Sequence, residues 1–452
     1  MKRHALKDLT NWYKREKRKP LVLRGARQVG KSTLVRHLAD SLGLDLFEIN
    51  LEKQKLLSLQ SEGIEVSPIL QEVEIICNKK ISAKALLFFD EAQDQKKILA
   101  TLRYFFEEYP DIAVIAAGSL LDFALKKAEY SVPVGRIEYY FLGPMKFTEF
   151  LEAMGEPLLL EKLNDFSGAL LEATHHRLMR RWREYLYVGG MPEAVLTYLQ
   201  TNSPLEVRRI QNAILQAYQE DFNKYALYAQ YRRVRRIFNF VPGHLGQKLK
   251  YVEIDPDEKA RDLKAALELL ILARVFIPVY HTNASGLPLK SQMDESVFKC
   301  YFLDVGLVCA FQGVDWSLLT TSSSEELLVK GPLVEQFVAQ HLFFQSEGFM
   351  EPELFYWLRD KKAQNAEVDF VMTIDGQIVP VEVKSGKGGR LKSLMVFMKE
   401  KELPVALRTD INLPSSELID QKINESMGRS VFELKNMPLY LIEKIVDVFR
   451  KL

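Results

Sequence analysis

Cysteine is scarce: there are three in 452 residues, Cys77, Cys300 and Cys309, and no two of them form a CxxC pair. That excludes a disulfide framework and a clustered zinc site, and it fits a reducing compartment. Long apolar runs are missing as well; none approaches the roughly 18 residues that cross a bilayer. The first residues, MKRHALKDLTNWYKREKRKP, are basic but lack the apolar core of a secretory signal. We therefore expect a soluble, cytoplasmic protein with no membrane partner. Neither sign of charge is in excess: 61 Lys plus Arg stand against 60 Asp plus Glu, a formal net charge of +1. Any nucleic-acid contact must then come from local patches. Repeats and low-complexity tracts are also absent. What is present is 47% hydrophobic residues, enough to give a core to each of about three domains of roughly 150 residues.

The patterning suggests where those domains lie. In residues 1–155, short apolar runs at Leu21 to Arg24, Leu44 to Ile49, Ala85 to Phe89 and Ile112 to Ala116 alternate with helical stretches such as Lys96 to Tyr109. Apolar strands between helices predict a parallel sheet covered on both faces, an α/β domain. Residues 156–325 read as mostly helical, with a pattern from Pro256 to Ala273 running into the strand-like VFIPVYHT, a helix-turn-helix with a β wing. The run TTSSSEE near Thr320 reads as a linker or a helix start. Residues 326–452 read as a small α/β domain: a helix from Leu333 to Phe344, strands at Leu354 to Leu358, Glu367 to Ile374 and Ile378 to Val383, then a helix after SGKGG.

GARQVGKS carries the spacing G-x-x-x-x-G-K-[ST] between the strand LVLR and the helix STLVRHLADSL. In that context Gly25, Ala26, Arg27, Gln28, Val29, Gly30, Lys31, Ser32 and Thr33 form a cradle of backbone N–H groups at a helix N-terminus. Lys31 reaches the outer phosphates and Ser32 ligates Mg²⁺. ALLFFDE then delivers Asp90 and Glu91 to a strand end, Asp90 to hold Mg²⁺ through water and Glu91 to polarise the attacking water. The competing reading of such an acidic pair is a solvated turn. Ser119, ending IAVIAAGS, is a candidate sensor of the γ-phosphate, although serine at a strand end is common. Arg136 in VPVGRIEYY is a candidate arginine finger, in cis or across a subunit interface, against the alternative of a salt-bridged surface arginine. Arg27 and Gln93 are weaker candidates.

GARQVGKSTL, LLFFDEAQ, AAGSLL and GRIEYYFLGPMKFTEFL, followed by YVGGMPEAV and YFLDVGL, resemble the AAA-type ATPases that carry a C-terminal domain of unknown function, a widespread prokaryotic family. The likeness covers nearly the whole chain and implies ATP binding and hydrolysis on an additional-strand P-loop core. Where the family reads Leu-Ser, this chain has Met145-Lys146.

In EVDFVMTIDGQIVPVEVK, Asp375-Gly376 between alternating apolar runs signals a two-residue hairpin. Pairing Ile374 with Gln377 makes paired positions sum to a constant, so Asp369 faces Glu382 and Glu367 faces Lys384. Alternation puts Asp369, Glu382 and Lys384 on one sheet face. Opposed carboxylates are destabilising unless a cation compensates them. With Glu335 on the preceding helix, the set is similar to the PD-(D/E)XK nucleases, in which Mg²⁺ held by Asp369 and Glu382 would assist phosphodiester hydrolysis. The alternatives are a mixed-charge exposed hairpin, or the same fold used for binding without turnover.

Two arginine groups complete the candidates. Arg232, Arg233, Arg235 and Arg236 make one helical stripe, and Arg177, Arg180, Arg181 and Arg183 surround Trp182. They could neutralise DNA phosphates, or pair with acids such as Glu184, Glu220 and Asp221. The reading is an α/β ATPase: a P-loop (AAA/ASCE-type) core, a helical winged-helix-like middle and a nuclease-like C-terminal domain, with ATP and Mg²⁺ as cofactors. DNA is a candidate partner, and so is a second copy of the chain. The alternative is a signal-transducing nucleotide switch whose C-terminal half binds a protein.

Overall fold

The computed structural model describes residues 1–60, 63, 65–118, 135–225, 228–320, 331–345, 348–359, 365–386 and 391–452. Their contacts divide the chain into two compact units. The first is Met1–Pro144 with the short pieces Glu268–Val275 and Ser346–Pro352; the second comprises Met145–Leu267, Phe276–Gln345 and Glu353–Leu452.

The first unit opens with α1 (Ala5–Tyr13) and is built on five parallel strands: β1 (Leu21–Arg24), β2 (Asp45–Asn50), β3 (Ala85–Asp90), β4 (Ala113–Ala117) and β5 (Glu138–Phe141). Their order is β2-β3-β4-β1-β5. One strand, β4, thus separates β1 from β3, the arrangement that an additional-strand P-loop core implies. α2 (Lys31–Leu42), α3 (Val66–Cys77) and α4 (Lys97–Glu108) accompany the sheet. All residues of β3 and β4 are buried, and Phe47, Ile49, Leu87, Phe89, Ile98 and Phe105 share one core. Removing such side chains from water is the main favourable contribution to folding. Of the later pieces, Gly348 accepts a hydrogen bond from Phe141 N at 2.7 Å, and Arg274 pairs with Glu351 at 2.8 Å.

Helices dominate the first part of the second unit, among them Glu172–Val188, Pro192–Thr201, Pro204–Tyr225 and Tyr228–Phe240. Met145 and Lys146 begin a tightly packed corner there. Met145 N donates to Gly190 O at 2.6 Å, and a Cβ on Gly190 would stand 2.1 Å from Met145 O, so only glycine fits. Asp304 closes the same corner, accepting from Gly190 N at 2.7 Å, Leu307 N at 3.1 Å and Gln340 Nε2 at 3.3 Å.

The helix Ala260–Leu272 does lead into a hairpin, β6 (Phe276–Thr282) and β7 (Met293–Phe302). It does not stand alone as a wing. Both strands join β8 (Phe355–Arg359), β9 (Ala366–Ile374), β10 (Gln377–Val383), β11 (Val405–Asp410), β12 (Ser415–Asn424) and β13 (Gly428–Pro438) in one eight-stranded sheet, ordered β12-β13-β11-β10-β9-β8-β6-β7. The junction is short: in β6–β8 only Tyr280 with Phe355 and His281 with Tyr356 are paired. Flanking the sheet are the helices Gly331–Phe343 and Lys392–Lys401. Most of the linker-like run after Thr320 lies outside the described residues. Among the described residues no helix is long and apolar enough to cross a membrane.

Candidate functional site

The 25–33 loop joins β1 to α2 through backbone that few side chains tolerate. Gly25 has φ +152°, Gln28 +63° and Gly30 +91°. A Cβ on Gly25 would sit 2.3 Å from Leu142 O, so that position demands glycine. Lys31 is buried and folds back onto the loop, its Nζ donating to Gly25 O at 3.0 Å and Ala26 O at 2.8 Å. Burial lowers its pKa to about 8, against the opposing pull of Glu91 and Asp90. Those two carbonyls are neutral acceptors holding a cation, which anionic phosphate oxygens would satisfy better.

β3 brings the carboxylates to the loop. Ser32 Oγ donates to Asp90 Oδ2 at 2.7 Å. Parallel pairing of β3 with β4 and of β4 with β1 sets the two strand ends at the same edge of the sheet, one strand apart. Glu91 turns out of the strand with φ +52°. Burial, with the neighbouring Asp90 adding to it, pushes its carboxyl above the usual range, while Gln93 Nε2 donates to it at 2.6 Å. Ser32 and Asp90 offer the hard oxygens that Mg²⁺ prefers.

The other nucleotide candidates are placed differently. Arg136 donates from Nε to Glu107 Oε1 at 2.9 Å, at the end of α4, with its side chain 48% exposed. That is the ion-paired alternative. Ser119 lies outside the described residues.

In the second unit, the β9–β10 ladder runs from Ile374–Gln377 to Phe370–Val381 in the predicted register. Pairing stops there, because Val383 N donates to the Asp369 side chain at 2.8 Å. Lys384 Nζ donates to Glu382 Oε1 at 2.5 Å. Glu382 is 5% exposed, and its second oxygen, Oε2, has no hydrogen-bond partner. Burial, reinforced by Asp369, pushes the Glu382 carboxyl up; Glu335 is pushed up by the same two causes. The structure therefore brings Glu335, Asp369, Glu382 and Lys384 within electrostatic reach of one another.

One expected contact is replaced. Glu367 does not meet Lys384; it is ion-paired with Lys299 of β7, a lysine with no exposed side-chain surface. Burial alone would lower the Lys299 pKa, but Asp369, Glu367 and Glu335 together raise it. Beside it, Tyr301 Oη donates to Glu335 Oε2 at 3.0 Å. In a flat sheet β7 would lie three strand spacings, about 14 Å, from β9, beyond any Lys–Glu contact. The sheet must curl past the short β6–β8 junction for Lys299 to reach Glu367. Sequence reasoning missed Lys299 and Tyr301; their only signal was a lone lysine and tyrosine in an otherwise apolar run, KCYFL. Among the described residues no three His, Cys, Asp or Glu side chains converge closely enough to hold a metal ion. An ion here would rest on the Asp369–Glu382 pair, completed by backbone and water, and the open, buried Glu382 oxygen fits that role.

The arginine groups are largely paired. Arg232 and Arg233 meet Glu258 at 3.0 and 2.7 Å, Arg233 also reaches Asp262, and Arg236 pairs with Asp255. Arg177 and Arg181 share Glu156 at 2.7 and 2.6 Å, and Arg181 adds Glu184 at 2.6 Å. Most of these acids come from segments other than the nearby ones expected.

Residues 17–151 match the family model of an AAA domain. Residues 179–318 and 330–424 match two domains of unknown function, DUF8612 and DUF4143. No curated protein matches the chain. Among solved structures, the chain is similar to the Walker-type ATPase PABY2304 of Pyrococcus abyssi at 16% identity and TM-score 0.43, over 68% of this chain and 94% of that one. For the ORC2 protein of Aeropyrum pernix the values are 10% identity and TM-score 0.35, over 70% of this chain and 94% of that one. For PCH-2 of C. elegans they are 10% and 0.27, over 44% of this chain and 62% of that one. The AAA match and the strand order agree: residues 17–151 form an AAA-type P-loop domain.

Proposed function

We propose that the protein binds ATP on the 25–33 loop and hydrolyses it. The observation that carries this reading is the Ser32–Asp90 contact at 2.7 Å beside a buried lysine held only by its own loop's carbonyls. Phosphate oxygens take over Lys31 from Gly25 and Ala26, while the amides of the loop and the start of α2 point at the same charge. Ser32 and Asp90 would hold Mg²⁺, which when bound neutralises charge on the outer phosphates. Glu91 accepts the proton of the attacking water. A raised pKa makes it a stronger base than a surface carboxylate, and Gln93 fixes its direction. Ser119 belongs to this reading as a γ-phosphate contact. Arg136 belongs to it as a finger presented to a second copy, released from Glu107. In steady-state ATPase assays Lys31→Ala abolishes turnover, whereas Glu91→Gln keeps ATP binding and loses at least about a hundredfold in kcat. Unchanged turnover in Lys31→Ala would sink the assignment.

A second reading, for the C-terminal half, is metal-assisted phosphodiester cleavage, favoured by the unpartnered buried oxygen of Glu382 next to Asp369 and Lys384. Asp369 and Glu382 would hold Mg²⁺ and Lys384 would orient water, with Glu335 within electrostatic reach of both carboxylates. DNA is the substrate class to try, with the exposed Arg180 and Arg235 as phosphate contacts. Cleavage with Mg²⁺ or Mn²⁺ should vanish in Asp369→Ala and Lys384→Ala. A chain that cuts no nucleic acid and takes up no metal there, but retains ADP tightly and turns over slowly, is the nucleotide switch instead.

A further inference from the structure

Three hydrogen bonds from one side chain tie the phosphate loop to the chain that follows β5. Arg3 Nη1 donates to Val29 O at 2.8 Å, and Arg3 Nη2 donates to Gly143 O at 2.8 Å and Pro144 O at 3.4 Å. We propose that Arg3 is a positioning residue for nucleotide binding, which holds the loop in its anion-accepting form. This inference rests on the ATP reading of the loop.

A single peptide group links Arg3 to the phosphate position. A peptide unit is planar and trans, so its C=O and its N–H point in opposite directions. The Val29 carbonyl and the Gly30 amide belong to the same unit. A guanidinium that pins Val29 O on the outside of the loop therefore aims the Gly30 N–H inward, at the place where phosphate must sit. Gly30 itself has φ +91° and directly precedes Lys31, the first residue of α2. Left alone, this peptide could rotate, because a glycine on one side removes the usual steric limit. Arginine suits the task better than lysine, since its fixed planar fork can bind carbonyls on two segments at once and stays charged at any pH of interest.

The rest of the unit keeps Arg3 in place. Leu6 N donates to Arg3 O at 3.0 Å at the start of α1, whose Leu9 and Trp12 are fully buried. Asp8 on the same helix accepts from Tyr140 Oη at 2.8 Å. Gly143 and Pro144 are equally constrained, because the adjoining Leu142 N donates to Arg24 O at 2.8 Å and its carbonyl lies against Gly25. Arg3 thus spans two segments that also touch at the Gly25 end of the loop.

The test compares four full-length chains, wild type, Arg3→Ala, Arg3→Lys and Tyr140→Phe, by equilibrium binding of ATP and by kcat and KM. Losing a charge-assisted bond to the loop is expected to weaken ATP binding about tenfold or more in Arg3→Ala, with kcat at saturation within about twofold, since Ser32, Asp90 and Glu91 are untouched. Arg3→Lys falls between the two. Tyr140→Phe, which loosens α1 without touching the loop, binds ATP as wild type does. Undiminished binding in Arg3→Ala overturns the inference. So does an equal loss in Tyr140→Phe, which would reduce Arg3 to a helix anchor, and so does a fall in kcat with unchanged affinity. If Arg3→Ala does not fold, Arg3→Lys read in the same way decides. A wild-type chain that binds no ATP overturns the nucleotide reading, and this inference with it.

Discussion

Two regions of this molecule use the same ingredients, a buried lysine beside carboxylates at strand ends, and arrive at opposite electrostatic states. In the first unit Lys31 is satisfied by two neutral carbonyls, with Asp90 and Glu91 close enough to act on it but bonded elsewhere. An arriving polyanion would replace weak partners with strong ones. In the second unit Lys299 and Lys384 are already held by carboxylates, Glu367 and Glu382. Four carboxylates, Glu335, Glu367, Asp369 and Glu382, face those two ammonium groups, which leaves a demand for positive charge. The first arrangement suits an anion, as proposed above, and the second is short of positive charge. What separates them is the partner each lysine has been given.

Three further experiments test that contrast. The largest effect is expected from Gly25→Ala. Its Cβ must displace Leu142 O, so ATP binding measured by calorimetry should be lost while the second unit's carboxylate site is untouched. Retained binding would mean that the loop tolerates a different backbone. Next is Lys299→Met, which leaves Glu367, Asp369 and Glu335 facing one another without their cation. Lys299 is buried but Glu367 keeps 37% of its side chain exposed, so solvent offsets part of the loss. The cost lies at the low end of the about 3–5 kcal/mol of a fully buried pair, read as a lower midpoint in urea, whereas ATP affinity should not change. A neutral outcome would show that the carboxylates can take up protons freely enough to make the lysine dispensable.

The smallest effect concerns Asp304, which accepts hydrogen bonds from Gly190 N, Leu307 N and Gln340 Nε2. Burial raises its pKa to about 6 in the folded chain, against 3.8 for a free aspartate. A raised acid contributes stability that is present below the unfolded value and is lost as pH rises through the folded one. Relative to Asp304→Asn, which cannot ionise, the wild type should therefore lose up to about 3 kcal/mol between pH 4 and 6.5. Parallel curves for the two chains would show that Asp304 is already ionised at the low end.

Legibility in the sequence followed the range of the interactions. Four of the five strands of the first unit, the 25–33 loop, the Asp90–Glu91 pair and the β9–β10 register could be read because each depends on residues within a few positions of one another, whereas β5 (Glu138–Phe141) was not among the apolar runs. A two-residue Asp375-Gly376 turn leaves only one register, and from it the facing of Asp369 and Glu382 follows by counting. Counting failed where the ladder ended. Asp369 takes the Val383 amide, and Glu367 turns to a strand almost 70 residues earlier in the chain. The arginine stripes were visible as clusters, but their partners Glu156, Asp255 and Glu258 were not, because helix packing rather than spacing brings them together.

The phosphate loop could thus be recognised from residue order alone, since it is a local backbone conformation set by its own glycines, strand and helix. It takes the folded chain to bring the lysine of a wing-like hairpin to the carboxylate cluster of the second unit, and Arg3 to a loop 26 residues away. The physical reason is the same in both cases. A long charged side chain goes to whichever unsatisfied partner the fold brings within reach, and curl in a sheet or the docking of a helix leaves no periodic mark in the order of the residues.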